Sequence, residues 1–447
     1  MMNDWFEAEQ RVERAQQLAE ARRWADAIVE IEAALEINPH NASWHAHHAF
    51  LLDQSGRQDE SLQAYQRSLD LEPTDPDVRF AYGVALMSLG RYARAVKVFA
   101  ELARQNPNDE RAYCHRIAAF AELGRHDRAE EMFYLAQQID EDCPHCFYYM
   151  GESLSARGRT DQAIACWKRV LELEPDYPGV NAKIGRAYRS QRRYGEAREA
   201  YLNELRNDAG DTELLFELAE LAVEAKQPAS AAAKLQQIIE LDPDHGRAYF
   251  ALGEIHLQRN RYAKALQCFE KAEALGEHLP LINVRKGEAA LHLGRFNEAR
   301  EHLESACEQH PREPGVHVAL GDAWLNLRRF DRALEAFRRS LALEPEAPQV
   351  HHRAAICLFK LARHEAGLRH CHQAIRLDPN YVSAMRDAAV AYLHLGQWSS
   401  VKAMARRALE VDPTAEAFRR LSSRLWLYRI RHHLRALLLL LLGKSKR

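Results

Sequence analysis

A period of 34 residues runs through this chain from Ala8 to Ala415 without a slip. Its marker is a proline near the close of each unit: Pro39, Pro73, Pro107, Pro175, Pro243, Pro311, Pro345, Pro379 and Pro413. Every gap between neighbouring markers is 34 or 68 residues, and the skipped places hold Glu141, Ala209 and Glu277, so the phase survives where the proline does not. Units of this length mean stacked copies of one small motif, each too small to bury its own apolar face and each covering its neighbour. A single globular core is excluded on size alone, because such cores stop growing well short of 447 residues.

With units starting at 8, 42, 76, 110, 144, 178, 212, 246, 280, 314, 348 and 382, the internal pattern becomes legible. The eighth place is small in all units but one: Gly83, Gly151, Gly185, Gly253, Gly287 and Gly321, with Ala15, Ala49, Ala219, Ala355 and Ala389, against Ile117. The twentieth place is alanine at Ala27, Ala95, Ala129, Ala163, Ala197, Ala231, Ala265, Ala299 and Ala333; Ser61, Gly367 and Val401 stand in the other units. Four places later comes a large ring at Tyr65, Phe99, Phe133, Trp167, Tyr201, Phe269 and Phe337. Small residues at fixed places on two helices let the backbones cross closely, and the ring fills the space left between them. Turns such as Leu89-Gly90-Arg91 and Leu123-Gly124-Arg125 end the first helix with a residue that enters the left-handed region at no steric cost. The closing Glu-Pro or Asp-Pro stops the second helix.

On these residues the stretch 8–415 resembles the tetratricopeptide repeat. The resemblance implies an all-α, right-handed superhelical solenoid of about twelve 34-residue helix-turn-helix repeats, preceded by a short lead-in (1–7) and followed by a C-terminal helix (416–447). In the lead-in, Trp5 and Phe6 are expected to pack on the first helix. The family's large aromatic near the start of the first helix is replaced here by Arg11, His45, Arg79, Asn181, Asn283, His317 and His351, which predicts softer units or polar groups on a surface. Asn207–Asp211 and Leu275–Pro280 replace the proline turn and are expected to be joints.

Charge is unevenly spread. Residues 416–447 carry nine Lys or Arg against Glu416, a net of +8, which leaves −11 on the first 415 residues of a chain whose total is −3. An acidic array with a basic tail is a poor match for nucleic acid. The eight cysteines do not read as a disulfide framework in so long a chain, and Cys166, Cys268, Cys307, Cys357 and Cys371 read as small core residues of a reducing compartment. No basic start followed by an apolar run opens the sequence, and no apolar stretch reaches the ~18 residues that span a bilayer. The expected location is the cytoplasm, or the cytosolic face of a membrane as a peripheral protein.

The family resemblance also implies that the first helix of each unit lines an inner groove, with its ninth place pointing in. Glu152, Arg186, Glu220, Glu254, Glu288 and Asp322 stand there, a ladder of carboxylates broken once by arginine, suited to a basic, extended protein or peptide partner. Val12, Gln16, Ala46 and Phe50 occupy the places that hold basic clamps in chaperone-binding members, so capture of a C-terminal carboxylate is not expected. Cys143-Pro144-His145-Cys146 resembles the active-site tetrapeptide of thioredoxin-fold oxidants. No βαβ pattern surrounds it, and two further zinc ligands are not near in sequence. Histidines such as His45, His47, His48, His351, His352, His370 and His372 fall at spacings that do not chelate within one helix. With no catalytic motif elsewhere, no enzyme activity and no cofactor are expected.

In the tail, Trp426, Ile430, Leu434, Leu437 and Leu441 share one helical face, and Arg424, Arg431 and Arg435 lie on another. Such a helix lies in an anionic membrane interface, seats on a partner or a second copy, or caps the last unit. The expected function is a non-catalytic scaffold or adaptor holding a protein partner and tethered by its tail. Thiol redox or metal chemistry at Cys143 and Cys146 is the alternative.

Overall fold

The computed structural model describes residues 2–276, 279, 281–416 and 418–420. These residues form helices throughout, α1 (Met2–Glu20) to α24 (Trp398–Val411), with no strand among the described residues. First helices recur in register: α3 (Ala42–Gln54), α5 (Pro76–Ser88), α7 (Glu110–Glu122), α9 (Pro144–Ala156), α13 (Thr212–Glu224), α15 (Gly246–Gln258), α19 (Pro314–Asn326), α21 (Pro348–Lys360). Only α11 (Val180–Ser190) and α17 (Ile282–His292) start two residues late. The chain divides into two compact units, Met1–Lys226 and Gln227–Arg447. The division falls in the turn after α13.

Local chemistry sets the helix ends. Asp75 accepts hydrogen bonds from the N–H groups of Asp77 and Val78 at 2.9 and 3.1 Å, and Asn41, Asp109 and Asp211 cap α3, α7 and α13 in the same way. Each satisfies a donor that the first helical turn leaves without a partner. Proline opens α5, α9, α19 and α21, where its missing N–H costs nothing. The turn glycines Gly90 and Gly124 both sit at φ +67°, the left-handed conformation that closes a helix.

All nine alanines of the twentieth place are completely buried. The eighth and twenty-fourth places are matched in volume. A Cβ built on Gly83, Gly151, Gly185, Gly253 or Gly321 would lie 2.4–2.6 Å from the ring of Phe99, Trp167, Tyr201, Phe269 or Phe337. Where the eighth residue is alanine its opposite number is usually smaller: Ile31, Leu235, Cys371 and Ala405 face Ala15, Ala219, Ala355 and Ala389, while Tyr65 faces Ala49. Gly287 has Leu303 opposite, and in the fourth unit Ile117 and Phe133 are both large and buried; in the other units close packing leaves little slack for two large members. Ser61, in place of the twentieth-place alanine, is buried and donates its hydroxyl to the Ala49 carbonyl at 2.8 Å.

Four of the polar residues at the fourth place share one role. His45, His317 and His351 donate Nε2–H to the carbonyls of Pro39, Pro311 and Pro345 at 2.9, 2.9 and 3.0 Å, and Arg79 bonds the Pro73 carbonyl likewise. Each clamps the closing proline of the preceding turn, six residues back, to the helix that comes next. At the N-terminus α1 already includes residues of the lead-in, and Trp5 and Phe6 are 53% and 58% exposed on it rather than packed. At the other end Phe418 is buried among Ala405, Ala408 and Ile375. No helix among the described residues is long and apolar enough to cross a membrane.

Candidate functional site

The ninth-place side chains lie on the first helices as expected, but each is met by an opposite charge. Glu152 on α9 pairs with Lys183 on α11 at 2.9 Å. Arg186 on α11 pairs with Glu217 on α13 at 2.6 Å, and Arg189 reaches Glu220 at 3.1 Å and Glu224 at 2.5 Å. In the second compact unit Arg285 on α17 lies 2.9 Å from both Glu254 on α15 and Glu288, and Arg353 on α21 lies 3.0 Å from Asp322 on α19. Most of these pairs span 31 residues, one period less three: stacking sets a ninth place beside the sixth place of the next first helix, as in Glu152–Lys183 and Arg186–Glu217, and a twelfth place beside the next ninth in Arg189–Glu220. The ladder is therefore one of ion pairs, not of bare carboxylates. Burial pushes the Glu254 and Asp322 carboxyls above their ordinary range, against the pull of Arg285 and Arg353.

Beside the ladder in the first compact unit runs an aromatic series that the sequence pattern did not disclose. Phe80 on α5 meets His115 on α7 edge-on at 4.8 Å between centroids, and His115 meets Tyr149 on α9 at 5.8 Å. Tyr149 touches Tyr148 at 5.3 Å, and Tyr148 stacks on Tyr177, in the turn before α11, at 5.4 Å. Arg111 lies over the Phe80 ring at 4.9 Å, and Lys183 over Tyr148 at 5.4 Å. Phe80, His115, Tyr148, Tyr149 and Tyr177 are all half-buried. Burial lowers the His115 pKa and pushes the Tyr177 hydroxyl up to about 12, so these rings are neutral at physiological pH.

The two cysteines of the tetrapeptide are not paired with each other. Cys146 is disulfide-bonded to Cys114 on α7, 32 residues earlier, with Cα atoms 4.9 Å apart. The sulfur of Cys143 lies 3.4 Å from that of Cys114. All three are buried. Burial pushes the Cys143 thiol above its ordinary pKa. A carboxylate oxygen of each of Glu110 and Asp140 lies within 4.8 Å of the Cys143 sulfur. Of these candidate ligands only Asp140 is near Cys143 and Cys146 in sequence, whereas in space Cys114 and Glu110 also come close.

Models of the tetratricopeptide repeat match residues 12–76, 148–212, 216–280 and 284–350, more than half the chain, and a second such model matches 54–113. The chain belongs to the tetratricopeptide-repeat family. Repeats of this family serve as protein-interaction scaffolds and are typically non-catalytic. This tetratricopeptide-repeat chain is 22% identical over 236 residues to the TPR repeat-containing protein YpiA of Bacillus subtilis (strain 168), covering 53% of this chain and 56% of YpiA. It is 24% identical over 144 residues to the type IV pilus assembly protein PilF of Pseudomonas aeruginosa, covering 32% of this chain and 57% of PilF. The matches thus take in a little over half the length of these relatives. Among solved structures, the APC/C hetero-tetramer Cut9-Hcn1 is similar at a TM-score of 0.40 and 14% identity, over 92% of this chain and 95% of that one.

Of the tail residues, Arg424, Trp426, Ile430, Arg431, Leu434, Arg435, Leu437 and Leu441 lie outside the described residues. Histidines do meet across helices, where spacing along one helix gives no contact: the Nδ1 atoms of His351 and His370 are 3.1 Å apart. His352 bridges Tyr381 at 3.1 Å and Asp387 at 2.9 Å. These partners lie 19, 29 and 35 residues apart, separations that a search within single helices does not cover.

Proposed function

We propose that this chain is a non-catalytic scaffold that holds an extended polypeptide along the first helices of its N-terminal compact unit. The observation that carries the reading is the unbroken run of half-buried rings from Phe80 to Tyr177, set beside the ion pairs of Glu152, Arg186 and Glu220. Tyrosine and arginine dominate the energetics of protein interfaces, because they bring large contact area with few rotors. Rings packed against one another lose little further freedom on binding. The flanking pairs give the partner both charges to match, which favours a segment that is basic toward the carboxylates and carries apolar or aromatic side chains toward the rings.

Peptides selected by display on the purified full chain are the test. Tyr148→Ala with Tyr177→Ala should weaken the selected peptides by roughly 100-fold or more, at ~2 kcal/mol for each central ring. Helical content should be unchanged, because both rings are only half-buried. Peptides that bind the double variant as tightly as the parent would place the binding surface elsewhere. The tail, on its sequence alone, is proposed as the tether to an anionic membrane surface or a larger complex: one face is apolar, and the net charge of 416–447 is +8.

A further inference from the structure

We propose that Cys114, Cys143 and Cys146, joined by a carboxylate from Asp140 or Glu110, form a four-coordinate zinc site in the reduced chain, and that the Cys114–Cys146 disulfide is its metal-free, oxidised form. The three sulfurs lie within 4.8 Å of one another, and so do the Cys143 sulfur and a carboxylate oxygen of each of Glu110 and Asp140. Two thiolates on one tetrahedral zinc sit about 3.8 Å apart, given Zn–S bonds of ~2.3 Å. The Cys143 and Cys114 sulfurs, at 3.4 Å, are already near that separation. Thiolates prefer zinc over harder divalent cations, and the two-residue spacing of Cys143 and Cys146 is that of a zinc knuckle.

A second observation comes from the repeat register. At the place before the first helix, Asn41, Asp75, Asp109, Asp211 and His245 each accept a hydrogen bond from a backbone N–H of the first turn. Cys143 occupies that place, with the backbone N–H groups of His145 and Cys146 turned toward its sulfur. Glu313, Ala347 and Tyr381 at the same place make no side-chain capping bond, so what sets Cys143 apart is that it is a buried thiol. It stands where the fifth place of one repeat brings Cys114 beside Cys146, at the third place of the next. The remaining cysteines, such as Cys357 and Cys371, join no cluster of this kind among the described residues.

A dithiol reductant gives two electrons and two protons to the Cys114–Cys146 bond and leaves as its own cyclic disulfide. The three thiols then release three protons as they take up one Zn²⁺. Because α7 and α9 carry His115, Tyr148 and Tyr149, either closed form would hold these two helices together beside the aromatic run. Metal binding itself does not depend on the binding surface proposed above, so each reading can fail without the other.

The experiment is a Co²⁺ titration of the full chain, after reduction with a phosphine and removal of metal, followed by displacement with Zn²⁺. One ion per chain should bind, with a thiolate-to-cobalt charge-transfer band and the intense visible bands of tetrahedral cobalt, and Zn²⁺ should abolish both. Cys114→Ser, Cys143→Ser and Cys146→Ser should each lose at least half of the charge-transfer intensity, while Cys307→Ser leaves it intact. In Asp140→Asn and Glu110→Gln, whichever residue is the ligand should show the visible bands shifted. Chain oxidised before the titration should bind no cobalt. The absence of a charge-transfer band in the reduced parent chain overturns the proposal whether or not any variant folds. A band that Cys143→Ser leaves unchanged also overturns it.

Discussion

Replacing Gly321 by alanine should destabilise the chain, although the same change in an exposed helix stabilises it. Gly321 sits inside α19, where alanine is favoured over glycine by about 1 kcal/mol of helix propensity. Against this, the new Cβ would stand 2.4 Å from Cε1 of Phe337, with Cδ1 and Cζ at 2.7 and 2.8 Å. Ordinary carbon contacts begin near ~3.5 Å, so the ring must withdraw by about 1 Å. Phe337 is fully buried on α20 (Phe330–Leu343) among Leu334, Val350, Ala354 and Leu358, and has nowhere to withdraw to. Overpacking of this kind costs ~1–3 kcal/mol. At the upper end it exceeds the propensity gain, leaving a net loss of about 1–2 kcal/mol, or a few degrees in Tm for a cooperative unit of ~200 residues.

The sequence supplies the rescue. Ala219 faces Leu235 in the same two places, so Gly321→Ala combined with Phe337→Leu recreates a pairing that the chain already uses. Phe337→Leu alone should lose ~1–2 kcal/mol to the space it leaves. The double variant should be more stable than the sum of the singles by about 1–3 kcal/mol, the coupling expected of residues in direct contact. Urea unfolding followed by far-ultraviolet circular dichroism gives all four corners of the cycle. A stabilised Gly321→Ala, or a double variant no better than additive, would refute the volume-matching account of the repeat.

The remaining predictions concern pH and the tail. The His370 pKa is pushed down to about 4 from the ordinary 6.5, by burial first and then by His351, Arg338 and Arg369. The folded chain therefore binds fewer protons there than the unfolded one between those values. Its contribution to stability is complete above about pH 6.5 and lost as the pH falls toward 4, by ~1–2 kcal/mol after allowing for solvent screening. Urea midpoints at neutral and mildly acid pH should differ less in His370→Asn than in the parent chain; an equal difference would exclude His370 as a source of the acid sensitivity. Full-length chain should float with acidic but not neutral vesicles, and a chain ending at residue 425 should float with neither. If the shortened chain still floats with acidic vesicles, the tail is not the tether.

The repeat is legible in the sequence because its constraints are local. The small eighth place, the twentieth-place alanine and the ring four places on recur at fixed separations inside one unit, so the period alone exposes them. The cysteine cluster and the ion pairs are not legible, because both depend on offsets between units. Cys114 meets Cys146 at 32 residues and Glu152 meets Lys183 at 31, and neither number is the period. These offsets arise because adjacent first helices stack with a shift of two or three residues. A comparison in columns of equal place sets Glu152 beside Arg186 and leaves Lys183 out of view. The fourth-place histidines mislead for a related reason: a missing aromatic looks like a gap in the core until the carbonyl six residues back shows what a donor does there.

The pairing of the ladder bears directly on what partner it suits. Bare carboxylates would draw a basic peptide by charge alone, whereas here such a peptide must displace Arg285 from Glu254 and Glu288, or Lys183 from Glu152. The exchange is not costly. These side chains are 25–38% exposed, and pairs of that kind are worth ~0–1 kcal/mol, so a cation from the partner can replace one from the scaffold at nearly even energy. What the partner gains is then specificity rather than strength: it must place a cation within reach of the carboxylate while leaving the displaced arginine an acceptor of its own. The affinity has to come from the rings of the first compact unit, and salt should weaken binding only modestly, because few unpaired charges are brought together. A steep loss of peptide affinity with added salt, persisting in Tyr148→Ala with Tyr177→Ala, would assign the binding energy to the ladder instead of to the aromatic run.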